Sequence, residues 1–380
     1  MGRLLLFNPE NDIALARDTA NFTAPKAALE LKRSCVALPL WYGDKGDRVI
    51  IDGVNARWYD YVCERFGIEA DVYDHITDDN LRPSPWGWSR AVKREFERKG
   101  VSDARLPDDD RLSQWREMSH RRTAAEVCAR LRDAVDFDIA PPAVEISDIR
   151  NLEKFLASQP QSIVKTPWSS SGRGLIDCRK TGAAEALRLC EGIIKHQGSV
   201  MVETAYERTG DFAMLFECDG GRCRFVGNSL FESDQTGAWS GNAIDAEAYL
   251  SAKIGRLYSL DRLDRVRKAL TKIIEERIAG IYDGPVGVDM LTAVTGSGET
   301  LLDATVEINL RMTMGFVAHE LSRRYTAEGS AGVLTIRPCE NNMAADECIV
   351  DSHRTVEGTV NLSPTGGRFR ATTQIKRINS

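Results

Sequence analysis

The chain has 380 residues, 42% hydrophobic and 28% charged, with 50 Lys and Arg against 56 Asp and Glu for a net charge of -6. That length predicts two or three domains at roughly 100 to 200 residues each, and the acidic balance excludes a bulk basic field for nucleic acid. No apolar run approaches the roughly 18 residues a membrane-crossing helix needs, and the opening Leu4-Leu5-Leu6-Phe7 is too short for a signal-peptide core.

A cytoplasmic protein with no nucleic-acid or membrane partner is therefore expected. The nine cysteines, at 35, 63, 128, 178, 190, 218, 223, 339 and 348, contain no CxxC pair, and the five histidines stand apart from them. This pattern fits thiols in a reducing compartment better than disulfides or zinc.

Leu4 to Phe7 reads as a buried strand running into the turn formers Asn8-Pro9-Glu10-Asn11-Asp12. The apolar stretches 36–41 and 49–51 alternate with helical patterns over 56–66 and 89–99, which predicts an α/β layer with a parallel sheet. Residues 103–116, with Asp108-Asp109-Asp110, read as a surface crossing. Over 121–135 the spacing of Ala124, Val127, Cys128, Leu131 and Val135 places them on one helical face. Ala140-Pro141-Pro142 then leads into a new domain.

Beyond it, elements are expected at 161–165, 183–196, 200–203, 212–217 and 224–228, followed by an amphipathic stretch at 260–278. Strand-like runs at 284–291 and 300–310 meet through Gly296-Ser297-Gly298, giving a mixed α+β region with an antiparallel pair. A tail hairpin is expected from 359–362 to 368–375, turning at Pro364-Thr365-Gly366-Gly367.

Three segments carry chemistry. Lys165 ends an apolar strand and is followed by Trp168-Ser169-Ser170-Ser171-Gly172-Arg173-Gly174, whose backbone N–H groups and hydroxyls could cover a polyphosphate. In Val202-Glu203-Thr204-Ala205-Tyr206, a strand end could present backbone groups to an adenine edge, with Asp211 close enough to accept from ribose hydroxyls. In Val306-Glu307-Ile308-Asn309-Leu310-Arg311, Glu307 and Asn309 are two apart on a strand and share a face. If the Gly296–Gly298 turn folds its strands together, Asp289 could join them. Two carboxylates and an amide oxygen are hard ligands suited to Mg²⁺. Read singly, the three segments also fit a flexible loop, a solvated acidic turn and a half-exposed strand.

Taken in order, lysine strand, small-residue loop, acidic hinge, Asp and Glu-x-Asn, residues 121–324 resemble the ATP-grasp superfamily, most specifically at Glu307-Ile308-Asn309-Leu310-Arg311. The resemblance implies α/β and α+β architecture: an N-terminal α/β domain (1–118), a linker helix with the first ATP-grasp subdomain (119–198), the second subdomain (199–335) and a C-terminal β extension (336–380).

It also implies ATP and Mg²⁺ as cofactors. Lys165 would bind phosphate, Ser169, Ser170, Ser171, Gly172, Arg173 and Gly174 would form the loop above it, and Glu203, Thr204, Ala205 and Tyr206 would make the adenine hinge. Asp289, Glu307 and Asn309 would be metal ligands, with Arg311 and Lys165 catalytic. The hinge departs from the family spacing, with Gly210 beside Asp211 at the ribose position. Arg121 stands where a second lysine is common.

The implied activity is a ligase that activates a small-molecule carboxylate as an acyl phosphate for attack by an amine or similar nucleophile. A phosphotransferase or a nucleotide-binding regulator are the alternatives.

Asn8, Glu10, Asn11 and Asp12 are further candidates for substrate contact, since loops at the carboxyl ends of parallel strands often bind ligands. Pro83 to Trp88 reads as packing over a domain edge or lining a cleft. The polar stretch 228–242, with Gln235, Trp239 and Ser240, reads as a lid or plain surface loop.

Overall fold

Arg3–Leu6 (β1), Arg48–Ile50 (β2), Asp71–Tyr73 (β3) and Arg82–Pro85 (β4) form a four-stranded sheet in the order β3-β2-β1-β4, every pair parallel. A computed structural model describes residues 2–53, 55–73, 80–169, 174–234, 238–339, 347–364 and 366–378. Leu4, Leu5 and Leu6 are all buried, because a parallel sheet is covered on both faces. The helices expected beside it are Ala56–Phe66 and Arg90–Arg98, capped by Asn55 and Ser89, which accept from the backbone N–H of Trp58 and Val92.

Two expectations fail here for local reasons. The apolar run 36–41 is not a strand: Leu38–Trp41 is a 3₁₀ turn, and Pro39 within it has no N–H to give to a ladder. Residues 103–116 are not merely a crossing, since Asp109–Met118 is a helix that buries Leu112, Trp115 and Met118. Asp108 caps it by accepting from Arg111 N at 2.7 Å, and Asp109 and Asp110 suit the positive end of the helix dipole. The acidic run that suggested a turn is a helix start.

Val144–Ile146 (β5), Ser162–Lys165 (β6), Leu175–Asp177 (β7) and Val200–Thr204 (β8) make a second sheet, antiparallel, in the order β5-β8-β6-β7. The helices Ile149–Ser158 and Ala183–Gln197 cover it with Leu152, Leu156, Ala186 and Cys190, which pack on Val164 and Val202.

The third sheet has nine strands: Glu207–Asp219 (β9), Arg222–Ser233 (β10), Trp239–Ile244 (β11), Gly284–Val294 (β12), Thr300–Asn309 (β13), Ser330–Pro338 (β14), Glu347–Asp351 (β15), Arg354–Asn361 (β16) and Phe369–Arg377 (β17). Their order is β13-β12-β9-β10-β11-β14-β17-β16-β15. The expected helices Arg121–Ala134 and Leu260–Ile274 share a core with β9, β12 and β13. The tail hairpin forms as expected, with Asn361 paired to Thr372.

Most of the described part of 228–242 is strand rather than loop. β10 carries Asn228 and Ser229, β11 carries Trp239 and Ser240, and Phe231 pairs with Asn242; Gln235 lies outside the described residues. Ser229, Ser233 and Asn242 face a cavity rather than water, which contributes to the loop-like composition of this stretch.

Among the described residues no helix is long and apolar enough to cross a membrane. Cys35, Cys128, Cys178, Cys190, Cys218 and Cys223 are buried free thiols.

Candidate functional site

The hairpin β12–β13 brings three expected residues together. Asp289 pairs directly with Glu307, and Gly287 with Asn309, so the two carboxylates share a face as cross-strand partners do. Asn309 Nδ2 donates to Asp289 Oδ2 at 3.0 Å. Ile308 and Leu310 point the other way into the core. Burial, and then the neighbouring charge of Glu307, push the Asp289 carboxyl up to about 7 against the pull of Arg311 and the Asn309 hydrogen bond.

Two arginines frame this pair. Arg121 opens the helix Arg121–Ala134; its Nη2 lies 3.1 Å from Glu307 Oε1 and donates to Ser169 Oγ at 3.1 Å, while its Nε donates to the Thr166 carbonyl at 3.0 Å. Arg311, two residues past β13, contacts Asp12 with Nε at 3.0 Å from both carboxylate oxygens and Nη2 at 2.7 Å from Oδ2. Burial alone would weaken its charge, but Asp12, with Glu307 and Asp289, holds the guanidinium pKa above its ordinary value.

The backbone around Arg311 is fixed as well. It bridges Gly87, and Met312 N donates to the Trp86 carbonyl at 2.8 Å. Gly87 is required there, since a Cβ would stand 2.4 Å from the Asn11 amide and 3.1 Å from Arg311 Cβ.

The segment after β1, a turn running into the helix Asn11–Arg17, therefore serves as scaffolding for Gly87 and Arg311. Asn8 Nδ2 donates to the Gly87 carbonyl at 2.8 Å and Asn8 Oδ1 accepts from Gly87 N at 3.3 Å. The Asn11 amide, turned to satisfy its surroundings, donates to the carbonyls of Gly87 and Trp88. Glu10 pairs with Lys32 at 3.0 Å. Asn8, Glu10 and Asn11 are buried and make these internal contacts, and Asn11 also lines a small cavity with Ser169, Glu307, Asn309 and Arg311. Asp12 lines the cavity described below, behind Arg311.

Opposite stands β6. Lys165 is 6% exposed and its Nζ lies 2.5 Å from Glu203 Oε1 on β8. Thr204 pairs with Ser162, and Ala205 N–H donates to the Gln161 carbonyl at 2.9 Å, so that N–H is held by the sheet. Asp211 is ion-paired with Arg208, and burial raises the Tyr206 phenol.

Ser169 and Gly174 flank the expected phosphate loop; Ser170, Ser171, Gly172 and Arg173 lie outside the described residues. The loop is anchored at its start, contrary to its serine-rich composition. Trp168 is buried, its Nε1 donates to the Arg116 carbonyl at 3.0 Å, and the Arg116 guanidinium stacks 3.7 Å from the ring centre.

Sequence reasoning missed Asp303. It lies on β13 and is buried, and its carboxyl is pushed up to about 6 by burial and by Glu203, against the pull of Lys165. Period two was the available signal, because Asp303, Thr305, Glu307 and Asn309 form one alternating polar series.

A cavity of about 410 Å³ opens between the sheets. Lys165, Ser169, Gly174, Glu203, Thr204, Tyr206, Asp211, Asp289, Glu307, Asn309 and Arg311 all line it, with Arg121. Ala205 is not among these lining residues. No cluster of three His, Cys, Asp or Glu side chains suited to a metal exists among the described residues; Asp289, Glu307 and Asn309 are a smaller donor set, appropriate for a hard cation that takes further oxygens from a ligand.

The overall fold is shared with solved structures. The chain aligns over 99% of its length with 86% of the biotin carboxylase domain of Hydrogenobacter thermophilus 2-oxoglutarate carboxylase, a dimer with MgADP, ADP and bicarbonate, at TM-score 0.52 and 12% identity. It aligns over 99% of its length with 88% of Campylobacter jejuni biotin carboxylase in a β,γ-ATP complex, at TM-score 0.55 and 11% identity. The chain has the ATP-grasp fold. Rhizobium etli pyruvate carboxylase, in complex with acetyl coenzyme A, matches 99% of this chain with 36% of its own, at TM-score 0.57 and 13% identity. Neither a family model nor a curated protein matches the chain by sequence.

Proposed function

We propose that the chain is an ATP- and Mg²⁺-dependent ligase that activates a small-molecule carboxylate as an acyl phosphate for attack by an amine or similar nucleophile. The observation that carries this reading is the single cavity in which Lys165 of the four-stranded antiparallel sheet faces Asp289, Glu307, Asn309 and Arg311 of the nine-stranded sheet. The ATP-grasp fold and the nucleotide complexes of the two biotin carboxylases support it.

The donor set fits Mg²⁺ because two carboxylates are forced into register and one keeps its proton up to about pH 7, a repulsion that a divalent cation relieves. When bound there, Mg²⁺ would supply positive charge to the phosphate oxygens. Glu307, freed from Arg121, would hold it with Asp289 and with Asn309 through its amide oxygen.

Lys165, exchanging Glu203 for a phosphate, would fix the polyphosphate. Residues 169–174, including Ser170, Ser171, Gly172 and Arg173, would cover it. Glu203 to Tyr206 would border the adenine, and Asp211 would accept from the ribose. A carboxylate oxygen, oriented by Arg311, attacks the γ-phosphorus as its bond to the bridging oxygen breaks and ADP leaves. The nucleophile then attacks the acyl carbon, phosphate departs, and the nucleophile loses a proton. Positioning and charge neutralisation carry the rate, and no enzyme nucleophile is needed.

In this reading 119–198 and 199–335 enclose the nucleotide, 1–118 precedes them, 336–380 extends the β structure, and the buried thiols fit a cytoplasmic setting. Calorimetry with Mg·ATP tests the nucleotide site: binding heat and a raised Tm are expected, and neither appearing at saturating ligand would overturn the reading. Free phosphate released only with carboxylate and amine present separates ligation from phosphotransfer.

A further inference from the structure

The cavity has two chemically different ends. Cross-strand pairing sets the distance between them, because Glu307 pairs with Asp289, Asp289 with Ala213, and Ala213 with Ser229. Strands lie about 4.8 Å apart, which puts Ser229 roughly two spacings, or about 10 Å, beyond Asp289 on the same face. Phe231, two residues on, pairs with Asn242.

All four cations among the described lining residues belong to ion pairs with carboxylates: Arg121 with Glu307, Lys165 with Glu203, Arg208 with Asp211 and Arg311 with Asp12. Past Ala213 the strands carry Phe231, Trp239, Ile336 and Phe369 into the lining, with Ser229, Ser233 and Asn242 as its polar members, and Leu31, Trp86 and Met314 add further apolar wall to the cavity. Ser229 and Asn242 are fixed: Trp239 Nε1 donates to Asn242 Oδ1 at 2.6 Å, and Asn242 Nδ2 donates to Ser229 Oγ at 2.7 Å. Ser229 accepts in this chain, so its own proton is directed elsewhere. The helix Met314–Glu320 closes the side tightly, since a Cβ on Gly315 would stand 2.7 Å from Ser229 Oγ.

An anionic or cationic group placed at this end would lose its hydration and meet no described counter-charge. A ring or branched hydrocarbon would instead meet mainly aromatic and aliphatic walls, with the hydroxyls of Ser229 and Ser233 as uncharged polar contacts. We infer that the carboxylate substrate carries a neutral ring or branched hydrocarbon body, lying over β9 and β10 toward Asn242 while its carboxylate faces Asp289, Glu307 and Arg311. This rests on the acyl phosphate reading above, to which it adds the substrate class.

Hydroxylamine tests it without knowledge of the natural amine, because its nitrogen attacks an acyl phosphate at the acyl carbon, displaces phosphate and leaves a hydroxamate. With Mg·ATP and hydroxylamine, hydrocinnamate and isocaproate are expected to exceed glutarate and ε-aminocaproate by about 10-fold or more in kcat/KM. Met314→Lys should shift that preference toward glutarate with KM for ATP unchanged, and Met314→Leu should restore it; a merely structural role would lower all four acids together.

Quenching of tryptophan fluorescence by the same acids with Mg·ADP provides a readout independent of turnover. Charged acids bound or used as well as neutral ones, or none of the four bound, would overturn the inference and leave the ligase reading standing. Neutral acids bound selectively without hydroxamate would support the pocket assignment and overturn the acyl phosphate reading instead.

Discussion

Arg311 and Asp12, 299 residues apart in the chain, form a multiply bonded ion pair with contacts of 2.7 to 3.0 Å, its side chains only 15% and 13% exposed. It joins the first turn of the helix Asn11–Arg17, which follows β1, to the residues just past β13, so the first sheet and its helix set the direction of a guanidinium that faces the cavity.

Asp12→Asn should therefore lower kcat by about 10-fold or more while KM for ATP changes little, because Arg311 loses its orientation and the nucleotide contacts remain. Folding stability should fall by about 3 kcal/mol, the usual scale for removing one partner of a buried pair. Steady-state kinetics and urea unfolding measure both, and an unchanged kcat would remove Asp12 as a positioning residue.

Glu307→Gln should reduce turnover by about 10²-fold or more and weaken nucleotide binding much less. The amide keeps the shape but removes the charge that, in the proposed reading, would hold the metal against the phosphates, while residues 203–206 and Lys165 would still contribute affinity. Calorimetry beside a phosphate-release assay separates the two effects. Normal turnover with normal Mg²⁺ dependence would exclude Glu307 from metal binding.

Asp289→Asn should stabilise the metal-free protein at high pH. The folded-state pKa of about 7 lies above the ordinary 3.8, so the stabilisation from holding the proton is complete below the unfolded value and is lost as pH rises through 7. Above that pH the wild type carries a desolvated charge costing roughly 2 to 4 kcal/mol, which asparagine lacks. Thermal melts should show the variant ahead at pH 8 and level near pH 4, and saturating Mg·ATP should remove its advantage.

Much of the site was legible because its parts lie on regular elements. Period two put Glu307 and Asn309 on one face, and the Gly296–Gly298 turn brought Asp289 opposite Glu307. Side-chain partners drawn from distant segments were not legible. Nothing local to Asp12 indicates Arg311, and nothing near Lys165 or Glu203 indicates that Asp303 lies close to both. The failures at 36–41, 103–116 and 228–242 share a cause: composition shows polarity or apolarity, whereas tertiary packing decides whether Pro39 closes a turn, Asp108 starts a helix, or Asn242 faces a cavity.

Arg121→Met should act in opposite directions on two ligands. Releasing Glu307 from its 3.1 Å partner should tighten Mg²⁺ alone by about 10-fold, on the scale of one charged hydrogen bond. ATP binding should weaken by a similar factor if Arg121 turns to phosphate in the complex. Titrations of Mn²⁺ by electron paramagnetic resonance, with and without nucleotide, would show both, and parallel losses would point to a structural role.

The contact between Trp41 and Leu362, where Trp41 Nε1 donates to a carbonyl 321 residues away at 2.8 Å, bears on how the chain is made. Leu5, Phe7, Trp41 and Phe66 share one core with Val360, Leu362, Ala371 and Ile375. On the ribosome, at roughly 5 to 20 residues per second, the first sheet would wait on the order of 15 to 60 s for the hairpin that completes it. Val317, Leu321, Tyr325 and Leu334 of the same core emerge earlier, but the part of the apolar face that meets Val360, Leu362, Ala371 and Ile375 waits for the whole interval. A chain stopped before β16 would leave the ribosome with that part of the face still open.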